Sequence, residues 1–372
     1  MRAPVLSPRV LAPSLLALLL ALLPGCGIAT GERAAGAEGG ATVRTAPPLS
    51  DVEPLEDVRD WEGEAVVAPR DELDPVATSP EQHLPVTLTD AQGTRVRVDD
   101  ASRVLALDVH GTLARTVAEL GLADVLVGRD VSTQVPGLDD LPLVTQDGHD
   151  LVAEAILELD PTLIITDTSL GPWDVILQLR DAGVPVVVLE PERTLDNVGD
   201  LIRDVAEALG VPEQGRALAR RTQQQIDSVT EQVARVAPER TGEKLRVAFL
   251  YVRGQSGVYY MFGDGSGADS LIEAIGGYDV AKEIGWNGMK PLTDEGLVSA
   301  QPDLVLMMTG GLDSAGGVDG LLERLPALAQ TPAGRNRRFV AMDDAAVLGF
   351  GPATASVIEA LAVATYAPGE LS

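Results

Sequence analysis

The chain contains two matching stretches, LVAEAILELDPTLII at residues 151–165 and LTDEGLVSAQPDLVL at residues 292–306. In each stretch a glutamate lies seven residues before a proline, and the proline precedes an apolar run of strand length. A helix that ends just before a proline and leads into a buried strand is a unit of α/β folds. The repeated spacing therefore predicts two similar lobes, each built from such units.

Apolar runs recur around both stretches at the spacing of alternating strands and helices. They are uninterrupted by charge, as expected for strands that are buried on both faces of a parallel sheet. The runs are RVLALD at 103–108, LIIT at 163–166, VPVVVLE at 184–190, RVAFLYV at 246–252, DLVLMM at 303–308 and RFVAMD at 338–343. The predicted fold class is α/β, with a central parallel sheet in each lobe and a ligand cleft between the lobes.

One long helix is predicted between the lobes. Pro212 suits a first helical turn, and apolar residues then recur on one face as far as Val236. A helix of this length spans roughly 37 Å and would join the lobes as a rigid connector. The predicted organisation is a leader at 1–25, a flexible tether at 26–82, a first lobe at 83–211, the connector at 212–237 and a second lobe at 238–372.

Composition narrows the classes of function. The 372 residues suffice for two lobes, and 45% hydrophobic with 23% charged residues is a globular balance. A formal charge of -28 would repel phosphate backbones, so nucleic acid is not an expected partner. The loop GSGAD at 265–269 lacks the lysine of a phosphate-binding loop, and we expect no enzymatic activity.

The amino terminus has the form of an export signal. Arg2 and Arg9 precede an apolar run at 11–23 that is shorter than a permanent membrane span. The run ends in LPGC, which resembles a bacterial lipobox and contains the single cysteine, Cys26. The resemblance implies that Cys26 is lipidated and that the protein is anchored to the extracytoplasmic face of the cell membrane.

Tyr251 ends the predicted strand RVAFLYV, at the edge of the sheet where α/β proteins bind ligands. A phenolate oxygen is a known axial ligand of haem iron. Arg253 lies two residues on, on the same side of an extended strand, where its positive charge would stabilise the phenolate. The alternative is a tyrosine packed in the core with the arginine in solvent.

The chain from about residue 84 resembles the substrate-binding lipoproteins of bacterial ABC importers that have a single helical connector. The resemblance is carried by residues 141–157, by PERTLDNVGDLIRDVAEALGVP at 191–212 and above all by LYVRGQSGVYYMFGDGSGADSLIEAIGG at 250–277, which look like hemin-binding members. It implies a receptor that captures haem between its lobes, as a transported ligand, and delivers it to an ABC permease dimer with its ATPase.

The resemblance also implies roles for two histidines. A histidine beside glycine and aspartate is ordinarily only solvated, but His149, in the loop TQDGHD, matches the position where the family has an iron ligand. Tyr251 and His149 would then approach the iron from different lobes. His110 also follows a predicted strand, and we interpret it as pocket wall with a rival role as second ligand.

Further pocket residues and a docking pair complete the sequence-based site. Arg129, Arg253 and Lys290 are candidates for holding the haem propionates, and Tyr259, Tyr260 and Met261 for stacking on the porphyrin, unless they form a hairpin core. Glu154 and Glu295 lie early in predicted helices, where the dipole alone favours a carboxylate. The resemblance implies that they dock onto permease arginines. The same scaffold leaves a ferric-siderophore or cobalamin receptor as the alternative function.

Overall fold

The structure is a computed structural model in which residues 42–372 are described. The described residues form the following strands: β1 Val43–Thr45, β2 Glu64–Ala68, β3 Val86–Thr89, β4 Arg95–Val98, β5 Val104–Leu107, β6 Thr145–Gln146, β7 Asp150–Leu151, β8 Leu163–Thr166, β9 Val186–Val188, β10 Arg246–Arg253, β11 Val258–Phe262, β12 Tyr278–Asp279, β13 Met289–Pro291, β14 Leu304–Met308 and β15 Phe339–Met342.

Helices alternate with these strands. They are α1 Thr112–Val117, α2 Ala153–Glu158, α3 Trp173–Asp181, α4 Val198–Ala208, α5 Pro212–Val236, α6 Ala268–Ala274, α7 Val280–Glu283, α8 Asp294–Ala300, α9 Thr309–Ala315, α10 Gly317–Arg324, α11 Pro326–Ala329, α12 Pro332–Arg335, α13 Asp344–Val347 and α14 Thr354–Tyr366. Within residues 42–372 no helix is both long enough and apolar enough to cross a membrane.

The first lobe is built on a small parallel sheet in the order β5-β8-β9. Every residue of these three strands is buried, because helices and loops cover both faces of the sheet. The antiparallel hairpin β3-β4 packs beside α4, as the alternating sequence PVTLTD and TRVRV predicts. The carboxyl ends of β5 and β8 lie side by side and present the loops that follow them at one edge.

The second lobe has a larger, mixed sheet in the order β1-β2-β15-β14-β10-β11-β13, with β12 beside the start of β10. Its strands β15, β14 and β10 are parallel, as predicted, and β2 adds a fourth parallel strand that was not predicted, whereas β11 and β13 extend the sheet with antiparallel pairs. The antiparallel extension begins where β10 turns back through Gly257, which has the positive φ of 64° that favours glycine in a tight turn. The second lobe therefore has an aromatic hairpin that the first lobe lacks.

The flexible tether predicted at 26–82 is wrong for its described part. Strand β2, with the sequence EAVVA, pairs with the edge strand β15, and β1 pairs with β2. Ala65, Val66 and Val67 are buried, so this segment covers a sheet edge that would otherwise expose unpaired backbone groups. The strand was not predicted because it is short, has acidic and glycine-rich flanks, and is stabilised by pairing with a strand that is distant in the sequence.

Helix α5 occupies the position of the predicted connector and packs against α4 on one side and α14 on the other. The residues after β2 form a second link between the lobes. Arg70 is paired with Glu359 of α14, and Val76 donates a backbone hydrogen bond to Glu119 of the first lobe (2.9 Å). Within residues 42–372, two chain crossings therefore join the lobes.

The internal repeat of the sequence is also a repeat of conformation. Helix α2 leads through a short loop into β8, and α8 leads through an equivalent loop into β14. Asp160 and Gln301, the residues before the two prolines, both adopt a left-handed conformation, with φ of 44° and 40°. Positive φ is uncommon for residues other than glycine, so its recurrence shows that both units turn in the same way.

Candidate functional site

Tyr251 lies near the carboxyl end of β10 and shares one face of the sheet with a small aromatic cluster. It pairs directly with Tyr260 of β11, so the two phenols point to the same side. The ring of Phe262 meets that of Tyr251 edge to face, with 6.4 Å between centroids. Tyr251 is half-buried, which leaves part of its ring accessible at the end of the strand.

Arg253 lies over the ring of Tyr251 rather than beside its hydroxyl. The guanidinium carbon is 4.7 Å from the ring centroid, within the range of a cation–π contact. Its Nη1 atom is 3.4 Å from Oδ2 of Asp344, the first residue of α13. The position of Arg253 is therefore determined both by the aromatic ring and by a carboxylate that follows β15, two strands away in the sheet.

His149 lies at the tip of the short hairpin β6-β7 and is exposed. Asp147 and Gly148, with φ of 46° and 94°, form the turn that brings it there. The hairpin is attached to the loop after β8, since Gly171 N–H donates to the His149 carbonyl (3.4 Å) and Leu151 N–H donates to the Gly171 carbonyl (2.5 Å). His149 therefore belongs to the loops at the carboxyl edge of the first sheet.

His110 follows β5 at the same edge and is half-buried. Burial and, to a smaller extent, the charges of Arg193 and His149 lower its pKa to about 4, against a backbone contact with Ala345 that raises it. Within residues 42–372 its Nδ1 atom has no hydrogen-bond partner. His110 is thus a neutral imidazole near His149, at a point where the first lobe meets the second.

A buried ionic cluster lies behind these histidines. Arg193 Nη2 is 2.6 Å from Asp167 Oδ2 and 3.9 Å from Asp108 Oδ2, and Asp130 Oδ2 accepts the backbone N–H of Asp108 (3.1 Å). Burial, followed by the charges of Asp167 and Asp130, raises the pKa of Asp108 to about 8. One arginine therefore does not keep all three carboxyl groups ionised at neutral pH.

This cluster was not predicted, although the sequence contains a signal for it. Asp108 and Asp167 each come directly after an apolar strand, in LALD and IITD, and adjacent parallel strands end at the same edge. What the sequence did not reveal is that Arg193, which follows β9 in the chain, folds back between them.

Two predicted pocket residues are placed elsewhere. Met261 is buried in the core, and Lys290 pairs with Met261, one residue out of register with the row that contains Tyr251 and Tyr260. Because side chains alternate along a strand, Lys290 lies on the opposite face of the sheet, with its ammonium 5.9 Å from the Trp286 ring. These two residues therefore lie on the face of the sheet opposite to Tyr251, and Met261 belongs to the hairpin core that was its alternative.

The other predicted pocket residues do not lie together: Tyr259 and Tyr260 lie on opposite faces of the second sheet, and Arg129 lies in the first lobe. Tyr259 pairs with Val252 and packs on the same side as Met261, so only Tyr260 of the tyrosine pair faces Tyr251. Arg129 Nε donates to the Asp139 carbonyl (3.1 Å) and its Nη1 to the Asp130 carbonyl (3.3 Å). Its guanidinium thus supports a loop of the first lobe.

The lobes meet directly beside His110. Thr112 Oγ1 donates to the Gly349 carbonyl (2.7 Å), and Gln134 Nε2 lies 3.5 Å from the Asp343 carboxylate. A cavity of about 190 Å³ lies between the lobes here, with His110 and Phe350 among its lining residues. Pockets that enclose drug-sized ligands have volumes of about 300–1,000 Å³, so this cavity is too small to enclose a porphyrin. A porphyrin would have to bind at the more open edge of the cleft.

The remaining predicted residues lie outside the cleft or outside the described part of the chain. Glu154 and Glu295 are exposed in the first turns of α2 and α8. In the GSGAD loop, Gly265 N–H donates to the Asp269 carboxylate (3.1 Å), so this amide is directed at an acidic group rather than at a phosphate. Cys26 and the leader at 1–25 lie outside residues 42–372.

Comparison with known proteins places these features in a family. The model of the periplasmic binding protein family matches residues 109–346. The crystal structure of the heme binding protein HmuT is 43% identical, covers 84% of this chain and 99% of its own, and superposes with a TM-score of 0.78. HmuT has also been solved with a histidine, a tyrosine or an arginine replaced by alanine, and that tyrosine and arginine are two positions apart.

Two further relatives extend the comparison. The periplasmic heme-binding protein RhuT of Roseiflexus sp. RS-1, in its apo form, is 37% identical, covers 72% of this chain and 98% of its own, and has a TM-score of 0.65. A cobalamin-binding protein of Halobacterium salinarum is 29% identical over 233 residues, which are 60% of this chain and 58% of that protein, less than two thirds of its length. By the extent of these matches, the chain belongs to the periplasmic binding protein family.

Proposed function

We propose that this protein is an extracytoplasmic haem receptor that binds ferric haem between its lobes and delivers it to an ABC permease. The observation that carries the proposal is the stacked Tyr251 and Arg253 at the end of β10, in a chain that is 43% identical to a heme binding protein over 84% of its length. The family consists of binding proteins, so the role is capture and transfer without chemical conversion.

The two lobes supply different donors to the iron. Tyr251 contributes a phenolate, which is a hard ligand for a hard ferric ion, and His149 contributes a neutral imidazole from its exposed hairpin. Tyr260 and Phe262, on the Tyr251 side of the sheet, offer aromatic edges to the porphyrin. Haem is thus the transported ligand, bound through its iron and its apolar surface.

His110 is a second imidazole within reach of His149. Its low pKa keeps it neutral, which a metal ligand requires, but it is half-buried beside Ala345 rather than exposed at the rim. We assign it to the floor of the cleft, where its Nδ1, which has no partner in the described part of the chain, is available to hydrogen-bond a polar group of the ligand.

A titration with hemin tests the proposed function. The purified protein without its lipid should bind hemin and develop a shifted Soret band that saturates. Hydroxocobalamin and a ferric siderophore, added in excess, should not displace the bound hemin. Displacement by hydroxocobalamin would favour the alternative, a cobalamin receptor, which the relative from Halobacterium salinarum suggests. Failure to bind hemin at micromolar concentrations would overturn the proposal.

We further propose that the protein is held at the extracytoplasmic face of the membrane by lipid on Cys26. The LPGC sequence after an apolar run supports this, as does a relative from Bacillus subtilis, 23% identical, that is described as an ABC transporter substrate-binding lipoprotein. Metabolic labelling with an alkyne fatty acid should mark the wild-type protein. Labelling that persists in Cys26→Ser would contradict the proposal.

Docking to the permease is proposed to involve Glu154 and Glu295. Both carboxylates are exposed at equivalent positions of the internal repeat, which suits contact with two equivalent subunits. Arginine is the preferred partner of an exposed carboxylate at such an interface because its guanidinium forms two parallel hydrogen bonds.

A further inference from the structure

We propose that each docking site combines a carboxylate with an apolar side chain, Glu154 with Leu157 in the first lobe and Glu295 with Val298 in the second. The inference rests on the proposed role in ABC import. It implies that each permease subunit presents an apolar recess beside a cationic group. The two sites would bind the same kind of surface twice, once in each subunit of a dimeric permease.

The apolar side chains are unusually exposed. Leu157 and Val298 expose 42% and 49% of their surface, while the preceding residues, Ile156 and Leu297, are fully buried. On a helix, residues three apart are neighbours on one face, so each aliphatic group lies beside its glutamate. Both helices therefore use one side to fill the core of their lobe and present a carboxylate and an aliphatic group on the other.

The combination of an exposed glutamate and an exposed aliphatic side chain occurs at equivalent positions of the internal repeat. The described residues include a few other exposed large hydrophobic side chains, at Val43, Val131, Leu143, Leu177 and Met289. None of these has a counterpart at an equivalent repeat position in the other lobe. Scattered exposed aliphatic residues need no explanation, but two at matching positions of a repeat, each three residues after an exposed glutamate, indicate a common partner surface.

The backbone supports of the two helices are also alike. Arg103, just before β5, donates from Nε to the carbonyls of Leu159 and Asp160, both at 3.1 Å. Arg246, the first residue of β10, donates from Nε to the carbonyls of Ala300 and Gln301, both at 3.3 Å. In each lobe an arginine therefore caps the end of the helix that presents the docking pair, and the two helices are fixed against their sheets in the same way.

The position of the helices suits a partner that covers the mouth of the cleft. Each helix returns through a short loop into the strand that follows it, so its first turn lies toward the edge where the parallel strands end. The ligand-binding loops lie at the same edge in each lobe. A permease dimer that contacts both helices would therefore face the opening from which haem must leave.

The test uses hemin-loaded protein and the importer, permease dimer with its ATPase, reconstituted in lipid nanodiscs. The protein concentration that gives half-maximal stimulation of ATP hydrolysis is measured for wild type, Leu157→Ser, Val298→Ser and the double variant. Each single change should raise that concentration about fivefold, and the double change about 25-fold, since removing a well-packed interface side chain weakens binding by about that factor.

Leu177→Ser, at an equally exposed leucine of α3, is the matched control and should behave as wild type. Leu157→Met should need nearly the wild-type concentration for half-maximal stimulation, because methionine keeps the apolar contact. Unchanged hemin spectra in all variants would show that they remain folded and loaded. If the double variant stimulates the ATPase like wild type while Glu154→Ala and Glu295→Ala are impaired, this inference is overturned and the proposed function stays intact. If the wild-type protein fails to bind hemin, both are overturned.

Discussion

The two lobes are alike on their outer helices and unlike at the edges that face the cleft. Outside, α2 and α8 share the glutamate–proline spacing, the left-handed residue before the proline, and exposed groups. Inside, the first lobe ends its strands in aspartates around the buried Arg193, with His149 on a hairpin, whereas the second ends β10 in an aromatic ring covered by Arg253. A symmetric partner requires matching surfaces, but a metal centre with two different axial donors requires different ones.

The largest expected effect comes from the aromatic edge of the second lobe. Tyr251→Phe removes the phenolate and leaves the ring packing on Phe262, so hemin affinity should fall about 100-fold and the charge-transfer bands should change. Tyr259→Phe is the control, because it lies one residue from the row of Tyr251 and on the other face of the same strand pair. Equal behaviour of the two variants would show that the face of the sheet does not matter.

The buried cluster of the first lobe should make stability depend on pH. The folded pKa of Asp108, about 8, is above its ordinary value, so the folded protein holds a proton that the unfolded chain has released. The free energy of unfolding should therefore fall by about 2 kcal/mol between pH 6.5 and 8.5. The lowered pKa of His110, about 4, acts in the opposite direction, mainly between pH 4 and its ordinary value of 6.5.

Urea denaturation at several pH values measures this effect, with Asp108→Asn as the comparison. The amide keeps the oxygen that accepts the Leu113 N–H and has no proton to lose, so the decline in stability above pH 6.5 should be largely absent. An unchanged decline in the variant would mean that another group titrates.

A smaller effect is expected from the first lobe's imidazole. His149→Ala should weaken hemin binding about tenfold, because in the proposed site Tyr251 would still hold the iron from the other side. His83→Ala, at an exposed histidine on the segment that leads to β3, should leave affinity unchanged. A larger loss in His110→Ala than in His149→Ala would reassign the second ligand to the floor of the cleft.

The smallest effects should be equal in the two lobes. Glu154→Ala and Glu295→Ala should each weaken stimulation of the importer's ATPase about threefold to fivefold, because each removes one exposed charged contact. Stimulation at increasing salt measures how much of the contact is electrostatic. Loss confined to one of the two variants would contradict a twofold docking surface.

Patterns within short segments predicted much of this molecule. The repeat, the apolar strands at β8 and β10 and the connector α5 follow from periodicity and proline placement, and the structure has them where the sequence indicates. These features depend on neighbours along the chain, which a single sequence reports directly.

Features that depend on distant pairing were not predicted. The strand β2 is ordered by β15, some 270 residues later, and Arg193 reaches Asp108 and Asp167 through the fold. Lys290 lies on the other face from Tyr251 because a one-residue difference in register moves a side chain to the other face of a sheet. The candidate site was therefore predictable by residue type at strand ends, but not by face.

A structure of the hemin-loaded protein tests the central claim most directly, that each lobe contributes one different donor to the iron. We expect the iron to be bonded to Oη of Tyr251 and to an imidazole nitrogen of His149, with Arg253 still over the Tyr251 ring. An iron held by two donors from one lobe, or by neither of these residues, would contradict the account.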